Sequence, residues 1–231
     1  MRRRLLLTAL AVSLPLSLAA CSGSTTATDP TAALAKAKTT LDTAKAVTLD
    51  LKSSAAVPAG HNGVSGAKGT GIIDPTTPKF SGQVSAVVNG TPATVRMVGI
   101  GDKTWMSFFT PKLTPIDMET LGAPNPGMLF KPETGLSSML GKASGAAGGK
   151  DQRYGKEVLQ TYTATVPGQV VVDLLHLGTA TETFAAEFGI EPTSGQLRVA
   201  KLTGVYYEGE PASTYSVVLT DYGKTIDIPQ P

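Results

Sequence analysis

Few side chains in this 231-residue sequence are of the types that do chemistry. It holds one cysteine, Cys21, and two histidines, His61 and His176. A zinc centre needs three or four ligands, and no His, Cys, Asp or Glu cluster is spaced to supply them. No metal is expected. The sequence has no G-x-S-x-G nucleophile elbow and no Gly-rich phosphate loop, so no cofactor is expected either. Ser65-Gly-Ala-Lys68 matches S-x-x-K by type, but it lies in a Gly-rich stretch and lacks partner motifs. Glu208 and Glu210 are close enough for a general acid–base pair. Their context, "YEGEP", reads instead as a solvated turn. Asn89-Gly90-Thr91 is formally a glycosylation sequon, and Asn-Gly is equally the preferred pair for a tight hairpin. The chemistry on offer is not that of an enzyme.

Cys21 has no partner for a disulfide within the chain. Before it stand a basic segment, Arg2 to Arg4, and an apolar run from Leu5 to Leu18, shorter than a membrane span requires. "LAAC" resembles the bacterial lipobox, in which the thiol is acylated and cleavage makes the cysteine the new N-terminus. The expected organisation is a lipoprotein signal peptide at 1–20, the lipidated Cys21 with a flexible polar tether to residue 28, and a single domain at 29–231. An acyl anchor of two or three chains, at about 0.8 kcal/mol per buried methylene, holds firmly. The expected location is the extracytoplasmic face of the cell membrane, within the envelope.

Three of the twenty basic residues leave with residues 1–20, so seventeen face eighteen acids. A nucleic-acid binder needs a basic face, and none is predicted. Charged residues make up 16% of the chain, below the roughly 25% of an average domain. The abundance of Gly, Ala, Thr, Ser and Val points to a β-rich fold with many turns.

Asp29 and Pro30 suit the first turn of a helix, and Leu34, Ala37, Leu41 and Ala44 form one apolar stripe along it. Strands are predicted next. Val47, Leu49 and Leu51 alternate with polar residues. After a loop at 53–66 and a turn at "DPTTP", Val84, Ala86 and Val88 share one strand face. The Asn89-Gly90 turn then brings Ala93, Val95 and Met97 opposite them. The Pro-rich residues 110–132 read as irregular. A short helix is predicted over 133–141 and a flexible Gly-rich stretch over 142–157. A strand at 158–166 follows, with Tyr162, Ala164 and Val166 on one face. Helices are predicted at 167–177 and 179–188, and strands at about 196–208, 213–221 and 225–229. The sum is an α+β domain: a curved antiparallel sheet with helices on one side.

The inward sheet face is built of modest side chains. It forms either an ordinary filled core or a layer that does not close, leaving an apolar cavity. Met118, Leu121, Met128 and Phe130 lie among Pro and Gly. They read either as the adaptable mouth of such a cavity or as a loop over a satellite core.

The chain resembles the LppX/LprAFG family of mycobacterial-type lipoproteins, most closely its LprG-like members. The resemblance rests on Cys21 with its tether and Ala/Lys-rich helix ending "TAKAVTLDLK", on "GDKTWMSF", on "NPGMLFKPETGLSSML" at 125–140, and on the closing "YGK" and "IDIPQP". Asn125 departs from the family's usual Asp. The resemblance implies a β half-barrel covering a layer of helices, similar to the carriers LolA and LolB, with a large apolar cavity between. Val84, Ala86, Val88, Ala93, Val95, Met97, Leu136, Leu140, Tyr162 and Ala164 would then line the cavity, with Met118, Leu121, Met128 and Phe130 at its mouth. The implied function is carriage of acylated lipid, of the glycolipid or triacylglycerol class, by a monomer working alongside a lipid exporter. The alternative is a non-enzymatic structural or protein-interaction lipoprotein with a filled core.

Overall fold

The computed structural model describes residues 29–108 and 110–231; the predicted signal peptide, Cys21 and the predicted tether lie outside them. The first helix, α1 (Pro30–Asp42), starts where its sequence dictates: the Asp29 carboxylate accepts from the Thr31 amide at 3.1 Å, with proline in the first turn. Ala33, Leu34, Ala37 and Leu41 are its buried stripe.

Twelve strands follow: β1 (Ala46–Ser53), β2 (Gly63–Ile72), β3 (Lys79–Val88), β4 (Thr91–Ile100), β5 (Lys103–Ser107), β6 (Thr114–Ile116), β7 (Ser144–Gly148), β8 (Gln152–Tyr154), β9 (Glu157–Pro167), β10 (Thr183–Ile190), β11 (Leu197–Gly204) and β12 (Ser213–Thr220). They form one open antiparallel sheet in the order β6-β5-β4-β3-β2-β1-β12-β11-β10-β9-β7, with β8 also on β9. Two meanders, one running outward from β1 and one inward to β12, are joined where β1 pairs with β12, from Thr48↔Thr220 to Ser53↔Tyr215. The domain is mostly antiparallel β.

Helical cover is sparse among the described residues. Besides α1 there are α2 (Ser138–Gly141), α3 (Gly168–Leu175) and 3₁₀ turns at Glu119–Leu121 and Pro126–Phe130. The helix predicted over 133–141 shrinks to the four residues of α2, because Gly135 packs its Cα against the Leu129 and Lys131 carbonyls, where a side chain would not fit. The helix predicted over 179–188 is strand β10. Phe184, Ala186 and Phe188 are buried with exposed or half-buried residues between them, so period-two burial overrides the helix propensity of "AAE". The Gly-rich 142–157 stretch supplies the edge strands β7 and β8. Gly63 to Gly66, assigned to a loop from sequence, belong to β2. Residues 225–229 form no strand. Their Ile228 instead packs on Val98 and Trp105 across the sheet's other face, and Lys79 Nζ donates to the Ile228 carbonyl at 3.1 Å.

The main core lies between the opposite sheet face and the helical segments. Phe130 stacks on Phe80 with ring centroids 5.9 Å apart. That stacking sets the 3₁₀ turn at Pro126–Phe130 on β2, β3 and β4. Gly71 makes room for it, since a Cβ there would strike the Phe130 ring. Asn125 fixes the preceding residues: its amide donates to the Gly101 carbonyl and its Oδ1 accepts from the Gly127 amide, both at 2.9 Å. Gly71→Ala should therefore lower stability by about 1–3 kcal/mol through overpacking, measured as a drop in the urea midpoint with an unchanged m-value.

Candidate functional site

The side chains that follow one another along the inward face of β3 and β4 change size from one end to the other. At one end Phe80 covers Gly69 and Gly82, and Phe130 fills the layer above it. Further along, the cross-strand pairs become Val84↔Val95 and Ala86↔Ala93, with Ala67 of β2 opposite Val84. Small residues in register leave space that the cover does not fill. The result is an apolar hollow of about 100 Å3.

The floor of the hollow comes from β1 to β4 through Leu51, Val64, Ala67, Val84, Ala86, Val88, Ala93, Val95 and Met97. Met106 of β5 and Phe108 continue it. Its roof is the segment carrying Met118, Leu121, Ala123, Pro124, Pro126 and Leu129, together with Leu174 and Leu175 of α3. Every lining side chain is apolar, so a ligand there would be held by exclusion from water and not by hydrogen bonds. Leu51, Leu129, Leu174 and Leu175 also line a tight crevice of about 20 Å3, which runs on past Leu136 and Met139 to Tyr215 and Val217 of β12. The two spaces share those four walls.

Six residues assigned to a cavity from sequence, Val84, Ala86, Val88, Ala93, Val95 and Met97, are thus brought together around one hollow, with Met118 and Leu121 in its roof. Leu136 lines the crevice. Leu140 and Tyr162 are instead buried in the packed core, with Ala164 packed against it. Phe130 is 3% exposed and sits on Phe80, inside the core and not at a mouth. Met128 faces a different recess, outside the roof. Sequence reasoning missed Val64 and Ala67 because β2 alternates small residues with glycines and has no apolar stripe. It also missed Leu174 and Leu175, whose helix was predicted but not its facing.

The polar candidates remain apart. His61 meets only the Tyr207 ring, at 5.2 Å between centroids, among ring contacts. Ser65 Oγ donates to the Ser85 carbonyl at 3.2 Å while Lys68 is exposed. His176 closes α3 in the left-handed region, at φ 54°. Glu208 and Glu210 lie in the β11–β12 connection. Among the described residues no three His, Cys, Asp or Glu side chains converge on a metal-sized point. Burial raises the pKa of Tyr206 and Tyr215 well above that of a free phenol. Tyr206 donates to the Leu202 carbonyl at 2.8 Å and Tyr215 to the Val64 carbonyl. The Tyr215 hydroxyl ties β12 to β2, and that of Tyr206 ties the residues after β11 back onto it. No described helix is long and apolar enough to cross a membrane.

The hollow should take up an uncharged solvatochromic dye such as Nile red, with a blue-shifted emission. Ala86→Trp should abolish the shift and Ser85→Trp, on the opposite sheet face, should leave it.

The model of one protein family, described as LppX_LprAFG lipoprotein, matches residues 29–228. Among solved structures, LprF from Mycobacterium bovis superposes with a TM-score of 0.73 at 10% identity, covering 87% of this chain and 96% of that one. The Mycobacterium tuberculosis lipoprotein LppX gives 0.61 at 13% identity, covering 86% and 97%. A LolA-superfamily protein from Nitrosomonas europaea reaches only 0.31 at 8% identity over 87% and 94% of the two chains, too low for an argument about fold. No curated protein matches the sequence.

Proposed function

The chain belongs to the LppX_LprAFG lipoprotein family, and from that membership together with the apolar hollow we propose that it is a lipid carrier of the cell envelope. It binds acylated lipids of the glycolipid or triacylglycerol class and conveys them across or toward the outer envelope. Cys21 tethers it by its own acyl chains to the extracytoplasmic face of the membrane, and a lipid exporter supplies or receives the cargo. It works as a monomer and catalyses no reaction.

The observation that carries this reading is the wholly apolar lining of the hollow. A methylene exposed to water costs about 0.8 kcal/mol, so two chains of about sixteen carbons lose roughly 25 kcal/mol outside a bilayer. A protein that lifts them out must offer a dry surface of comparable extent. A lining without hydrogen-bond partners also leaves the cargo free to depart, because selection is by volume and not by fixed polar contacts. Flexible Met97, Met106 and Met118 around the space can repack on chains of different shape. The space free at present is smaller than two such chains require. Loading therefore needs the unclamped part of the roof, Met118 to Pro124, to move away from the sheet.

Full-length protein carrying Cys21→Ser, expressed in an actinobacterial host, should yield stoichiometric multi-acyl lipid on organic extraction and mass spectrometry. Ala86→Trp or Val84→Trp should lose most of that lipid while keeping a cooperative unfolding transition. A well-folded protein that carries no lipid and takes up none would sink the carrier reading and favour a docking role.

A further inference from the structure

At one edge of the sheet a hairpin runs out past the helical cover. β8 lies off the main strand path and pairs with β9 alone, with Arg153 opposite Val158 and Tyr154 opposite Glu157. Gly155, at φ 59°, opens the two-residue turn between them. Every residue of β8 is exposed. Val158 is in step with Gln160, Tyr162, Ala164 and Val166, the inward line of β9, yet it lies beyond the core and is 47% exposed. Tyr154, on the other face of the ribbon, is 43% exposed. Six large apolar side chains are exposed among the described residues, and Tyr154 and Val158 are the two that share one hairpin.

The charges around this tip are mostly basic. Arg153 and Lys156 stand on either side of Tyr154, and Lys150 lies at the base, where the Thr161 hydroxyl donates to its carbonyl. Glu157 is occupied by Arg198, which donates to both of its oxygens at 2.8 and 2.9 Å. Within residues 150–158, Asp151 is then the acid left to offset three cations. A ribbon that is apolar on both faces near its tip and bordered by cations fits the interface of an anionic bilayer. There an aromatic ring settles among the headgroups and basic side chains meet the lipid charge.

We propose that the β8–β9 hairpin docks tip-first on the anionic membrane surface that holds the acyl chains of Cys21. The inference rests on the anchoring of Cys21. From Cys21 to Asp29 the chain spans at most about 28 Å. The helix that follows, α1, packs on β7 and β11, in the half of the sheet that carries the hairpin. The tether therefore cannot hold that half far from the membrane. The hollow is floored by β1 to β4, in the other meander, so the hairpin can engage the bilayer without covering it. Basic and acidic residues nearly balance over 21–231, so the attraction is local to the hairpin.

The test is co-sedimentation of residues 22–231, which contain the whole described fold, with vesicles. One set is pure dioleoylphosphatidylcholine and the other has roughly a third of it replaced by dioleoylphosphatidylglycerol. Binding should be about tenfold tighter to the anionic vesicles at low ionic strength, and the difference should vanish in 1 M salt, where the Debye length falls to about 3 Å. Lys150→Gln/Arg153→Gln/Lys156→Gln should remove most of the preference. The same loss of charge in the other meander, at exposed positions in Lys68→Gln/Lys103→Gln/Lys112→Gln, should leave it within about twofold. Tyr154→Trp supplies a second readout. Trp105, the chain's own tryptophan, is buried, so a blue shift on adding anionic vesicles reports the tip entering the interface. Equal binding to both vesicle types, a preference that survives the hairpin substitutions, or an unshifted Tyr154→Trp spectrum overturns the docking. Hairpin-dependent binding to an acidic protein but not to vesicles overturns it too. The protein tested lacks Cys21, so these outcomes read the hairpin alone, and the intact mass of the native chain reads the anchor separately.

Discussion

Much of this structure depends on a mismatch of areas. Eleven strands in one path, at about 4.8 Å each, make a sheet roughly 50 Å across. Its inward face is apolar almost throughout. Against it the chain sets one helix of thirteen residues, one of eight, and a few short turns, each only about 10 Å wide. Helices of that number cannot cover such a face. Where the inward side chains are large, as at Phe80, Phe184 and Phe188, the layer is filled to the exclusion of water. Where they are Ala67, Ala86 and Ala93, it is not. The hollow is a consequence of side-chain volume along three adjacent strands, and needs no special loop or strained backbone to create it.

The same arithmetic explains why the roof is built as it is. The segment from Met118 to Pro124 lies between β6, with three residues in the sheet, and the clamp formed by Asn125, Gly127 and Phe130. It has few backbone hydrogen bonds beyond those of one 3₁₀ turn. Such a segment has little to lose by shifting, while its well-packed ends keep its path defined.

The hairpin of β3 and β4 was legible in the sequence, because Asn89-Gly90 and clear alternation act together there. The floor residues Val84, Ala86, Val88, Ala93, Val95 and Met97 followed from that register. Legibility failed where residue type and burial period disagree. "TFAAEF" has the residues of a helix and the period of a strand, and the sheet decides. It failed also where glycine carries the strand, as in β2 and β7, because glycine has no side chain to announce which face it is on. The roof was legible only as a cluster of Met, Leu, Pro and Gly. Phe130 was placed at a mouth because an aromatic among prolines looks exposed. It is buried because Gly71, far away in sequence, leaves a ring-sized gap, and no local pattern reveals that.

The seam between the first and last strands bears on how the protein comes into being. β1 finds its second neighbour only in β12, so residues paired there, such as Thr48 and Thr220, are separated by nearly the whole domain. Each meander can assemble from hairpins as it emerges, but the continuous sheet exists only once the C-terminal strand has arrived. Pairings between such distant positions are slow to form because the chain must close a large loop first. A chain delivered from its N-terminus cannot complete this sheet until nearly all of it is available, whatever the order in which its hairpins form.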